Sequence, residues 1–274
     1  MHRIVVCNHK GGTGKTTTAL HLAAALGLSG HRTLAIDLDP QGFLSRMMGI
    51  KNPPEERSSL ALFDGEDRSL SDIKMHRVEG FDLLPSSKRL TKMIRSLNKP
   101  TDVLWTKEAL DEGIDYDVVL FDTAAAITVY SLNALVAARH VVVPVTPEYQ
   151  PVVGAEQTFR TVRMVQDQLN PDLTEPRFLL TQVDARKRTH DMYRQYLRDE
   201  YDDLVMDGVI RTSSALAESY EDGSTVFKRN PQSRGARDYA NAADEVLRRL
   251  KGAPSSNDEA AREVPSSPPR FSPS

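Results

Sequence analysis

The sequence predicts an α/β protein built on a doubly wound, mostly parallel sheet with helices on both faces. Three observations lead there. Apolar runs of strand length recur along the chain, at Arg3–Cys7, Arg32–Asp37, Asp117–Asp122, His140–Thr146 and Arg177–Val183. Stretches with helical patterning separate them. A glycine-rich segment, His9–Thr17, joins the first run to the first helix. Runs that are apolar throughout, rather than alternating, suit a parallel sheet covered on both faces.

The first run, Arg3-Ile4-Val5-Val6-Cys7, reads as a buried strand. Thr18–Leu28 reads as a helix. Between them Gly11, Gly12 and Gly14 precede Lys15, Thr16 and Thr17. Strand, glycine-rich loop, then Gly-Lys-Thr opening a helix is a phosphate-binding arrangement. Glycines let backbone N–H groups approach phosphate oxygens, and the helix N-terminus adds its positive end. Lys15 is expected to meet the β- and γ-phosphates, and the Thr16 hydroxyl to ligate Mg²⁺. The strict spacing G-x-x-x-x-G-K-[ST] is not met, because His9 stands where its first glycine belongs and Lys10 follows it.

Ser29-Gly30-His31 stops the helix, and Arg32–Asp37 is a second strand ending in Asp37-Leu38-Asp39-Pro40-Gln41-Gly42. Acids at the carboxyl end of a parallel strand sit where open α/β sheets bind ligands. Leu60–Phe63 suggests a short helix and Phe81–Pro85 a strand. From Ser86 a helix is expected, with Lys88, Lys92, Arg95 and Lys99 on one face and Leu90, Ile94 and Leu97 on the other. That basic stripe reads as a solvated face or as a nucleic-acid surface. Asp117–Asp122 is apolar and ends in an acid, placing Asp122 where it would hold Mg²⁺. A strand at His140–Thr146, a helix from Glu148 to about Leu169 and a strand at Arg177–Val183 follow. Helices over 189–200, 213–220 and 236–251 complete the pattern.

The chain has 274 residues, 39% hydrophobic and 27% charged, which suits one large globular domain over 1–251. Residues 252–274 are Pro/Ser-rich and are expected to be disordered. A formal net charge of −3 predicts no partner, so nucleic-acid binding has to come from local patches. One cysteine, Cys7, excludes an internal disulfide and a multi-cysteine metal site. The chain enters a strand at once and no apolar run approaches about 18 residues, so neither signal peptide nor membrane span is expected. A cytoplasmic location follows as an expectation.

The string Lys10-Gly11-Gly12-Thr13-Gly14-Lys15-Thr16-Thr17 resembles the deviant Walker A loop of the ParA/MinD ATPases, ParA in particular. The Asp37–Gly42 string is similar to the same family's D-x-D-P-Q-G. So are Pro144–Tyr149 to its P-x-x-x-E-Y, Asp184-Ala185-Arg186 to its D-A-R, and Pro231–Tyr239 to a further ParA pattern. The likeness spans about residues 2–250. It implies a P-loop ATPase with ATP and Mg²⁺ as cofactors and slow, partner-stimulated hydrolysis. Lys10, Lys15 and Asp39 would be catalytic, with Asp39 positioning the attacking water. The loop from Lys10 to Thr17 would bind nucleotide, and Thr16, Asp37 and Asp122 the metal region. It also implies an ATP-dependent homodimer in which Lys10 reaches the partner's nucleotide, nonspecific DNA binding on the nucleoid, and a ParB-like activating protein. Arg186 falls on a position that contributes to DNA binding in relatives. Lys187, Arg188, Arg211, Lys228 and Arg229 are added as basic neighbours, with Arg234 and Arg237 beyond them. A second basic position of the relatives is Ala215 here, and Arg211 lies one turn earlier. Two departures concern the nucleotide side: Phe43 replaces an asparagine, and Ala124-Ala125-Ala126 replaces a proline pair after Asp122. The partition of plasmid or chromosomal DNA is the implied role. A positioning ATPase that places a protein cargo or regulates division is the alternative, and a metabolic kinase or synthetase a third class. The absence of a terminal basic amphipathic helix argues against a membrane anchor.

Overall fold

The computed structural model describes residues 1–63, 69–97, 99–221 and 223–252. The expected Pro/Ser-rich tail lies outside the described residues, apart from Gly252. Among the described residues one sheet of eight strands runs in the order β3-β4-β2-β5-β1-β6-β7-β8. The strands are β1 (His2–Val6), β2 (Thr33–Asp37), β3 (His76–Arg77), β4 (Asp82–Leu84), β5 (Val118–Asp122), β6 (His140–Val145), β7 (Arg177–Val183) and β8 (Val205–Arg211). All neighbours are parallel except β3 with β4.

β1 lies between β5 and β6, and Ile4, Val5 and Val6 have no exposed surface. Side chains alternate across the pleat. Ile4 and Val6 join one core with α1 (Lys15–Leu28) and α10 (Arg234–Gly252); Val5 and Cys7 join the other with α5 (Val129–Ala137) and α6 (Tyr149–Gln168). This is why the central strands read as unbroken apolar runs. On α10 the buried residues Ala236, Tyr239, Ala242, Ala243 and Val246 recur at helical spacing and close over α1. α1 is therefore covered on two sides and is apolar nearly all round. At Gly27 it runs against the Gly80 turn, where a Cβ would stand 1.6 Å from the Gly80 carbonyl oxygen.

The helix expected from Ser86 is shorter than its periodicity suggests. α3 spans only Leu90–Met93, with hydrogen-bonded turns reaching Ser96. Lys99 is extended, with φ −87° and ψ 148°, because Pro100 follows it and disfavours helical backbone in the preceding residue. The basic stripe therefore does not continue to Lys99. Four helices and two strands not anticipated from the sequence also appear: α2 (Phe43–Met47), α4 (Trp105–Asp111), α5, α9 (Val226–Arg229), β3 and β8. The apolar run of β8 is broken by Asp207-Gly208, and there the Glu245 carboxylate of α10 accepts both backbone N–H groups at 2.9 and 2.8 Å. The helices α7 (Arg188–Tyr201) and α8 (Ser214–Glu221) match expectation, and α9 (Val226–Arg229) adds one turn before α10.

Candidate functional site

The carboxyl ends of β2, β5 and β1 meet at one place. Asp37 is in register with Asp122, and Asp122 with Val6. The loop from Cys7 to Gly14 leaves β1 there and turns into α1. Gly12 and Gly14 take φ values of 79° and 83°, in the left-handed region that costs glycine least. The N–H groups of Gly11, Gly12, Thr13 and Gly14 meet no protein acceptor among the described residues. Convergent unpaired N–H donors at a helix N-terminus form an anion site.

The loop is braced from outside by residues that carry no motif. Asn8 donates to the Pro144 carbonyl at 2.8 Å and accepts the Lys10 N–H at 2.8 Å. The Thr158 hydroxyl accepts the His9 N–H at 3.0 Å. Gly154 of α6 allows this approach, since a Cβ there would lie 2.7 Å from Lys10 Cβ. Sequence reasoning missed all three. Asn8 alone left a signal, a buried polar residue ending an apolar run.

Lys15 is buried, 8% exposed, and its Nζ donates to the Lys10 carbonyl at 3.0 Å. Burial lowers its pKa, and the Asp122 charge opposes that shift. Asp122 is wholly buried and neither carboxylate oxygen has a hydrogen-bond partner. Burial first, then the Asp37 charge, raises its pKa well above the carboxylate range. The Thr16 hydroxyl is near enough to oppose that shift, though outside hydrogen-bond geometry. A buried carboxylate without donors is costly unless a cation or its water answers it. Asp122 beside Thr16 therefore fits Mg²⁺. Among the described residues no cluster of three His, Cys, Asp or Glu could hold a metal. Mg²⁺ binds through one or two protein oxygens plus phosphate and water.

Asp37 differs. Its carboxylate accepts from Ser45 N at 3.0 Å, Ser45 Oγ at 2.6 Å and Asp39 N at 3.2 Å. These bonds tie Asp37 to α2 and to the Asp39 turn. Asp39 is 9% exposed; one oxygen accepts the Gln41 N–H at 2.9 Å, and the other carries no hydrogen bond among the described residues.

The basic residues divide between two flanks. Arg186 and Lys187 follow β7, Arg188 opens α7, and Arg211 ends β8, where Val183 and Arg211 are in register. Lys228 and Arg229 lie on α9, which packs on α8 and α10. The Lys88–Lys99 segment follows β4 on the opposite flank, separated from β7 by the four strands β2, β5, β1 and β6. Arg186 is highly exposed but pairs with Asp184 at 2.8 Å, which holds that carboxyl well below its ordinary range. Lys187 pairs with Glu148 at 3.0 Å. Arg211 is different again. Its guanidinium and backbone N–H both bind Asp238, which is 4% exposed, so Arg211 ties β8 to α10. A cleft of about 660 Å³ lies between the phosphate loop and this flank, lined by Lys10, Gly12, Glu148, Gln182, Asp184 and His190. A second cleft, of about 950 Å³, opens at the other end of the sheet and shares no residue with the loop.

A family profile described as an AAA domain matches residues 1–175. The chromosome-partitioning ATPase Soj of Thermus thermophilus is 38% identical over 255 residues, covering 92% of this chain and 98% of the relative. The chain belongs to the ParA/MinD family. The sporulation initiation inhibitor protein Soj of Bacillus subtilis is 32% identical, covering 89% of this chain and 97% of its own length. A solved structure of cobyrinic acid a,c-diamide synthase from Mycobacterium smegmatis with bound ADP and magnesium is 30% identical. It superposes with a TM-score of 0.76 over 93% of this chain and 98% of that one. This ParA-like chain is a P-loop ATPase with ATP and Mg²⁺ as its ligands. No helix among the described residues is long and apolar enough to cross a membrane.

Proposed function

We propose that this ATPase partitions DNA. ATP closes a homodimer, the dimer binds DNA without reading sequence, and a ParB-like protein triggers hydrolysis. The observation that carries the reading is Lys10. Its backbone is fixed at both ends, by Asn8 and by Lys15, while its ammonium has no acceptor among the described residues. A second lysine is unnecessary for holding phosphate within one chain. Its use is charge neutralisation across an interface, in the manner of an arginine finger. The 38% identity to a chromosome-partitioning ATPase supports the same reading.

The roles then divide by geometry. The loop N–H groups and Lys15 cradle the phosphates. Thr16 and Asp122 hold Mg²⁺, which when bound neutralises charge on the β- and γ-phosphates. Asp39, with one oxygen held by Gln41 and the other unengaged, orients the attacking water. Asp37 supports this turn through its bond to Asp39 N and anchors α2 through Ser45. DNA binding rests on Arg186, Lys187, Arg188, Lys228 and Arg229, with Arg211 acting as a structural tie. One monomer's patch is weak; a dimer doubles the phosphate contacts and steepens the salt dependence.

A DNA titration with and without ATP, at two salt concentrations and with Arg186→Ala as control, tests the reading. Binding should require ATP, fall steeply with salt and weaken in the variant. Binding absent with ATP at low salt moves the assignment to a protein cargo. ATP turnover that answers only to a small carboxylate acceptor favours a synthase instead.

A further inference from the structure

Two polar side chains end the apolar run of β7 and point at the phosphate loop. The Thr181 hydroxyl donates to the Thr13 carbonyl at 2.8 Å, and Gln182 Nε2 donates to the Gly12 carbonyl at 2.6 Å. Thr181 is buried, 1% exposed. Gln182 has φ 53°, one of two non-glycine residues with positive φ among the described residues. Its own carbonyl accepts from the Thr212 hydroxyl at 3.2 Å.

We infer that Thr181 and Gln182 are positioning residues that aim the phosphate-binding N–H groups. In a trans peptide the C=O and the following N–H point in opposite directions. Drawing the Gly12 carbonyl toward β7 turns the Thr13 N–H the other way. Drawing the Thr13 carbonyl toward β7 does the same for the Gly14 N–H. Neither N–H group meets a protein acceptor among the described residues, which leaves both available to a bound anion. Glycine at 12 and 14 makes the loop able to turn and equally able to turn wrongly, since glycine is the least constrained residue. Two hydrogen bonds from a rigid strand remove that freedom before the nucleotide arrives, which is where pre-organisation gains affinity. The left-handed backbone at Gln182 supports the assignment. A non-glycine residue adopts it at a cost, and strain of this kind persists where surrounding structure holds it.

The inference rests on the nucleotide role of the loop. It is tested by titrating the full chain with fluorescently labelled ADP plus Mg²⁺, together with thermal unfolding of the unliganded protein. Thr181→Val keeps the shape and loses the donor, and should weaken binding about 5-fold, the effect of one hydrogen bond. Thr181→Ser should restore wild-type affinity. Gln182→Gly removes the amide and the strain together. It should weaken binding about 5-fold while the unfolding midpoint stays within about 3 °C, because strain relief offsets the added chain entropy. Affinity and stability thus part company, which a merely structural residue would not produce. Tight wild-type binding with both Thr181→Val and Gln182→Gly unchanged overturns the positioning role alone. A wild-type protein that binds no Mg²⁺–ADP removes the nucleotide role itself and the inference with it.

Discussion

Gly154→Ala pits two opposed effects of known size against each other. Gly154 lies inside α6, and replacing an interior helical glycine by alanine gains about 1 kcal/mol in isolation. Here the added Cβ would stand 2.7 Å from Lys10 Cβ, 2.8 Å from Asn8 Oδ1 and 3.1 Å from Lys10 N. Comfortable carbon contacts begin near ~3.5 Å, so something must yield by about 0.8 Å. The Asn8 amide cannot swing away without breaking its bonds to the Pro144 carbonyl and to Lys10 N. Overpacking of this kind costs about 1–3 kcal/mol, which outweighs the propensity gain and leaves a net loss near ~1 kcal/mol. For a chain of this size that lowers the unfolding midpoint by about 3 °C. The functional loss should be larger. The segment that yields carries Lys10, and a shift of about 1 Å in a catalytic group can cost ~100-fold in rate. Calorimetry and a steady-state phosphate-release assay measure the two effects. A variant with a raised midpoint and wild-type turnover would show that the loop moves freely against α6, and the bracing argument would fail.

Asp39→Ala should keep ATP binding and lose turnover at least ~100-fold, since it removes the group that orients water and spares the cradle; nucleotide titration and phosphate release check it. Arg211→Ala should destabilise the fold by about 1–2 kcal/mol, because it strands the buried Asp238 carboxylate, and should change DNA binding less than Arg186→Ala does. His21 and His140 are buried and burial lowers each pKa to about 4. As pH falls from the ordinary value of 6.5 toward 4, the unfolded chain takes up protons that the folded chain refuses, so each histidine withdraws stability, by about 1.4 kcal/mol per pH unit inside that window. Asp37 and Asp122, raised by burial, tilt stability the other way over a similar range. The histidine contribution is therefore read as the difference in urea midpoint against pH between wild type and His140→Gln. Parallel curves would contradict it.

The sequence by itself determined the nucleotide loop, the strand-end acids and the doubly wound architecture. Each depends on local rules. Gly11 to Thr17 must follow a strand and open a helix, and a parallel strand covered on both faces must be apolar at every position, as Ile4, Val5 and Val6 are. The cofactors followed from the same few residues. Where a distant residue outvoted local pattern, the reading failed. The strand β8 hid behind Asp207-Gly208, because Glu245, far along the chain, satisfies the N–H groups the break exposes. Only the tertiary structure separated the acids into two kinds. Asp37 and Asp122 both stand at strand ends, but Asp37 accepts three hydrogen bonds from Ser45 and Asp39 N, whereas neither Asp122 oxygen has a hydrogen-bond partner among the described residues. It likewise turned Arg211 from a surface cation into a tie to Asp238, and brought Asn8, Gly154, Thr158, Thr181 and Gln182 against the phosphate loop. Hydrogen-bond partners of a buried group come from wherever the chain folds back. Composition and spacing carry no record of that, so these residues had to be found in space.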